Sequence, residues 1–153
     1  MIASPFYTVD LRRLDEFSAL DLYAMLKMRV DVFVVEQECP YPELDGNDPA
    51  CLHLRLLNNG ELLACARIWR PTPDVHPRIG RVTVSPAHRG KRLGEALMRE
   101  AIAECGKIYP NEPIEISAQS HLQKFYGALG FQRTSDEYLE DGIPHVDMVR
   151  GVE

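Results

Sequence analysis

The sequence predicts an α/β (α+β) fold built on one mixed sheet. Apolar residues recur at helical spacing in the longer runs and alternate with polar ones in the shorter runs. The order reads helix, antiparallel strands, strand–loop–helix, strand–helix, strand–strand. The 153 residues are 45% hydrophobic and 26% charged, the composition of a globular chain, and one domain spanning 1–153 is expected.

The first element is the run SALDLYAMLKMRVDVFVVEQ, read as a helix. Ser18 and Asp21 stand at the spacing of an acidic capping box, and Leu22, Leu26, Val30 and Phe33 form an apolar stripe. The segment ECPYPELDGNDPA, rich in proline and acid, reads as a loop. In CLHLRLL, Leu52, Leu54 and Leu56 alternate with His53 and Arg55, which is strand spacing. Asn58, Asn59 and Gly60 signal a hairpin turn, and ELLACARIW is the returning strand. RPTPDVHP breaks the pattern, and RIGRVTVS is a further strand closed by Pro86. From Lys91 to Lys107, Leu93, Leu97, Ala101 and Cys105 recur every four residues, the signature of a helix. PIEIS reads as a short strand, HLQKFYGALG as a short helix ended by Gly130, and the remainder as two strands around Asp141-Gly142.

Composition excludes several classes of function. A net charge of −6 argues against a nucleic-acid partner. No apolar run approaches bilayer length, and Met1–Leu11 lacks the basic and apolar parts of a secretory signal, so no membrane partner and a cytoplasmic location are expected. Cys39, Cys51, Cys65 and Cys105 form no CxxC pair, so neither a metal site nor a disulfide framework is expected.

The stretch SPAHRGKRLGEALM places Arg89, Lys91 and Arg92 around Gly90, between a strand and a helix. A helix start offers unpaired N–H groups and a favourable dipole to an anion, and glycine lets the backbone approach one. The loop is therefore a candidate phosphate cradle, although neither a Walker loop nor a dinucleotide fingerprint is present.

VTVSPAHRGKRLGEALM resembles the acetyl-CoA motif of the GNAT N-acetyltransferases, a strand followed by Q/R-x-x-G-x-G/A and a helix. Arg89 matches its first position and Gly94 its last, whereas Arg92 replaces the middle glycine. FYGALGF resembles a second hallmark of that family, and RVDVFVVEQECPYPELDGND, AQSHLQKFYGALGF and EDGIPHVDM are similar to the ElaA-like branch. The resemblance implies a splayed mixed sheet flanked by helices and direct transfer of an acetyl group from acetyl-CoA to a primary amine, without a metal. It implies that Val82, Thr83 and Val84 bind the pantetheine arm and supply the oxyanion donor. Arg89, Gly90, Lys91, Arg92, Leu93 and Gly94 would hold the pyrophosphate, and Tyr126 would protonate the leaving thiolate. An arginine at 92 is expected to keep a negative φ and to add charge where the family has backbone freedom.

The base is left open among Glu36, Asp45, His53, His121, His145 and water. The acids Glu36, Glu38, Glu43, Asp45 and Asp48 are expected over the acceptor side, where they can attract a cationic amine. RVDVFVVEQ and the Asp45–Asp48 spacing also resemble acyl-homoserine lactone synthases, although the chain is short for one. Two alternatives stand beside the acetyltransferase: a CoA-binding module without catalysis, and an acyltransferase with another donor. The acceptor and the oligomeric state, including a homodimer, stay open.

Overall fold

The computed structural model describes residues 6–152, so the first five residues of the Met1–Leu11 stretch lie outside the described residues. One sheet organises the chain in the order β1 (Thr8–Arg13), β2 (Leu52–Asn58), β3 (Glu61–Trp69), β4 (Arg78–Val84), β5 (Ile114–Gln119), β8 (Ile143–Arg150), β6 (Phe131–Arg133). β7 (Tyr138–Glu140) pairs with the other half of β8. Every pairing is antiparallel except β4 with β5. Two elements differ from the sequence reading. β1 is an addition to the sequence reading: Val9 and Leu11 alternate with Thr8, Asp10 and Arg12 on this edge strand. The C-terminal region holds three strands where two were expected, because Phe131 buries itself beside β8.

Helices cover both faces. α2 (Leu93–Ile108) packs Leu93, Leu97, Met98, Ala101 and Cys105 on Leu54, Leu56, Ala64, Ala66 and Ile68, completing the larger core. On the opposite face α1 (Ala19–Val30) sets Met25 and Met28 against Cys65. Ser18 Oγ accepts from Asp21 N–H at 3.2 Å and caps α1. The innermost residues of this element are Met25, Met28, Arg29 and Val32; the expected stripe of Leu22, Leu26, Val30 and Phe33 is only half-buried along its flank. The helix then widens into a π-helical segment, Asp31–Glu36, a form found often at functional sites. The β2–β3 hairpin turns at Asn59 and Gly60, both at positive φ (50° and 81°). The polar side of β2 is buried as well, with His53 and Arg55 lying under α1 and its following loop.

Candidate active site

β4 and β5 share a single register pair, Arg78 with Glu115, and then part. β4 carries a bulge where they separate: Thr83 faces Cys65 and Gly80 faces Arg67, leaving Arg81 and Val82 opposite Ala66, with Arg81 at φ 50°. Ser85 N–H donates to Leu63 O at 2.8 Å. Strand alternation then turns the neighbouring N–H of Val84 away from β3, toward the opened edge. Thr83 is buried and paired with β3, so of the three sequence-predicted residues Val82 and Val84 front the gap.

The gap opens into a cleft lined by Val82, Ile116, Ser117, Gln119, Tyr126 and His145, among others. α3 (Gln123–Gly127) delivers Tyr126 to it. The ring is buried, held edge-to-face by Phe125 at 5.0 Å and Phe131 at 6.1 Å between centroids. Burial pushes its hydroxyl up to about 12. Among the described residues no hydrogen bond claims that hydroxyl, and the residue lines the cleft.

The basic loop reaches the start of α2. Gly90 has φ 84°, and Arg92, the N-cap residue, has φ 58° and ψ 29°. The expected negative φ at Arg92 is therefore wrong. The loop turns through the left-handed region at the position where the family motif has glycine, and the arginine adopts the glycine conformation at a cost. No side chain caps α2; its first intrahelical bond is Ala96 N–H to Arg92 O at 3.1 Å. The N–H groups of Leu93, Gly94 and Glu95 precede that bond. At Gly94 an added Cβ would meet Phe125 Cζ at 3.7 Å and Val84 Cγ2 at 3.9 Å, so the helix start rests on β4 and α3. Arg89 is gripped by Glu36 through two 2.7 Å bonds, while Arg92 and Lys91 project from the surface.

The acidic segment is not the negative surface that the sequence suggested. Glu43, Asp45 and Asp48 meet three arginines. Arg29 Nε donates to Glu43 at 2.7 Å and its Nη1 to Asp48 at 2.9 Å. Arg67 donates to Asp45 at 2.6 Å and to Asp48 at 3.1 Å. Arg81 donates to Glu43 at 2.9 Å and to Asp45 at 3.3 Å. Glu43 and Asp48 are buried and need partners, Asp45 is paired at the surface, and the three arginines cancel the charge. Hydrogen bonds from Arg67 hold Asp45 well below the usual carboxylate range. Burial raises Asp48, but Arg29 and Arg67 overcome it and leave a net lowering.

The base candidates separate by position. Asp45 is locked between Arg67 and Arg81, and Glu36 is held by Arg89. His53 is buried with Nε2 on Asp48 O at 3.0 Å, and burial lowers its pKa. His121 is exposed and outside the cleft lining. His145 lines the cleft, but Nδ1 faces Ile143 O at 2.7 Å and Nε2 faces Glu140 at 3.3 Å. Ser117, in the short strand that the sequence showed without a role, also reaches the cleft.

Residues 25–151 match the family described as Acetyltransferase (GNAT) domain. The chain is 45% identical over 140 residues to Protein ElaA of Escherichia coli K12, covering 90% of this chain and 92% of that relative. The crystal structure of E. coli ElaA superposes with a TM-score of 0.87 at 41% identity, covering 94% of this chain and 99% of that one. An acyl-CoA N-acyltransferase from Pseudomonas aeruginosa gives 0.89 at 40% identity, covering 95% and 99%. The acyl-homoserine lactone synthase LasI gives 0.74 at 16% identity, covering 94% of this chain and 88% of that one, a likeness in fold alone.

Proposed function

The chain belongs to the GNAT acetyltransferase family and is an acyltransferase, and from that premise we propose that it moves an acetyl group from acetyl-CoA to a primary amine by direct transfer. The observation that carries this reading is the parting of β4 from β5 beside a helix whose first turn no side chain caps. The α2 start suits a pyrophosphate, because its free N–H groups and the exposed cations of Lys91 and Arg92 favour an anion, while Arg89 is already paired with Glu36. Val82 and Val84 offer the opened strand edge to the pantetheine amides.

The thioester supplies an activated acyl carbon. The protein's task is to stabilise charge on the carbonyl oxygen and to move two protons. The Val84 N–H, unclaimed by β3, is the oxyanion donor; a lost donor of this kind typically costs about 10²–10³ in kcat. Tyr126 keeps its proton at neutral pH and delivers it to the sulfur as the C–S bond breaks.

A screen of primary amines with acetyl-CoA, read by release of free thiol, tests the reaction. Acetyl-CoA alone should stabilise the fold by about 2.7 kcal/mol at 100 times its Kd. No thermal shift at millimolar acetyl-CoA, or no thiol release with any amine, overturns the reading.

A further inference from the structure

A hydrogen-bonded chain leaves the cleft at Ser117 and runs behind it. Ser117 Oγ lies 2.5 Å from Tyr138 Oη, and Tyr138 Oη donates to Asp147 Oδ1 at 2.6 Å. Three strands converge to build it: Ser117 and Asp147 are register partners across β5 and β8, and β7 brings Tyr138 over them. The Asp147 backbone is held in turn, its N–H donating to Ser135 Oγ at 2.9 Å and its carbonyl accepting from Thr134 N–H at 2.9 Å.

We propose that Ser117, Tyr138 and Asp147 carry the proton away from the attacking amine, with Ser117 touching the amine and Asp147 the final acceptor; this rests on the amine-acetylation reading above. The carboxylate sets the polarity of the chain. Asp147 can only accept, so Tyr138 donates to it, and Ser117 must donate to Tyr138. Ser117 then turns a lone pair, not a proton, into the cleft, where an amine N–H can meet it. As the N–C bond forms, the amine proton passes to Ser117 Oγ. The Ser117 proton passes to Tyr138, and the Tyr138 proton to Asp147. The C–S bond breaks with its electron pair on sulfur, which takes the proton of Tyr126. Solvent then returns a proton to Tyr126 and removes one from Asp147, so no net charge accumulates.

His145 is less suited to the task, since both of its ring nitrogens face acceptors, Ile143 O and the Glu140 carboxylate. Its ring instead stacks on Tyr138, with centroids 6.2 Å apart, and steadies the middle of the chain.

Two measurements test the route. In ligand-free protein labelled with ¹³C-tyrosine, Tyr138 should titrate high, because burial first and then its bond to Asp147 push it up to about 12. The groups facing it are Asp147, Ser117, Glu140 and His145. Asp147→Asn should move that titration down, and Ser117→Ala, which removes a donor to the phenolate oxygen, should move it up. The opposite signs would overturn the polarity and with it the route. Under single turnover with acetyl-CoA and the fastest amine of a panel containing putrescine, agmatine, lysine and a peptide N-terminus, Ser117→Ala and Tyr138→Phe should each slow transfer about 100-fold. The acetyl-CoA Kd should be unchanged, and Ser117→Thr, which keeps the hydroxyl, should restore most of the rate. A parent protein inert toward every amine overturns the amine-acetylation reading and this route together. A competent parent whose Ser117→Ala and Tyr138→Phe variants stay within about twofold overturns the route alone.

Discussion

At Arg92 the backbone and the side chain have opposite demands. A left-handed φ of 58° costs a non-glycine residue roughly 1–2 kcal/mol, while the guanidinium adds a cation at a helix start that favours anions. Arg92→Gly should therefore stabilise the fold by about 1 kcal/mol, a rise of about 2–4 °C in Tm for a chain of this size. The same change should raise the acetyl-CoA Kd, more at low salt than at high salt, because exposed charge is screened. Paired melts and titrations at two salt concentrations check both signs. At Tyr126 the ring is packed between Phe125 and Phe131, and the proposed acid is its hydroxyl. Tyr126→Phe should leave the acetyl-CoA Kd nearly unchanged, since both edge-to-face contacts remain, and should lower kcat by about 10²–10⁴. Steady-state kinetics beside calorimetric binding separates the two.

At the scale of elements, the unit formed by α1, the π-helical segment and the acidic loop is tied to the sheet by ions as well as by apolar packing. Arg29 is 1% exposed and meets Glu43 and Asp48; Arg67 on β3 and Arg81 on β4 reach the same loop. Removing one partner strands a buried charge. Asp48→Ala should cost about 3–5 kcal/mol in urea unfolding. Glu36→Gln breaks only an exposed pair with Arg89, so its urea midpoint should match the parent. A Glu36→Gln protein as damaged as Asp48→Ala would show that the strap from the π-helical segment to the basic loop carries the fold. Ser18→Ala should cost about 1 kcal/mol, the usual value of a lost N-cap.

At the scale of the whole molecule, the split sheet makes the site, and its paired carboxylates set the acid limit. Asp10, Asp45 and Asp48 all have lowered pKa values in the folded chain. Their stabilisation is complete above the unfolded carboxylate value of about 3.9 and is lost as pH falls through the lower folded values. Tm should hold from neutral pH to about 5 and fall steeply below about 4. Asp48→Asn should start lower at neutral pH and lose less over the acid limb, as melts from pH 7 to pH 2 would show. The helices, the β2–β3 hairpin and the Leu93–Leu97–Ala101–Cys105 stripe were legible because apolar period and turn chemistry are local. β1 was missed because an edge strand half exposed on both faces leaves a weak alternation. The motif resemblance by itself pointed to the family and to the tyrosine that lines the cleft, and apolar spacing to the helix behind the basic loop. Only the tertiary structure decided which acids are free, which way Arg92 bends, and that Ser117, Tyr138 and Asp147 meet. Charge pairing and hydrogen bonding between residues such as Arg29 with Asp48, or Ser117 with Tyr138, depend on a helix, loops and strands brought together by the fold, and no local spacing encodes that approach.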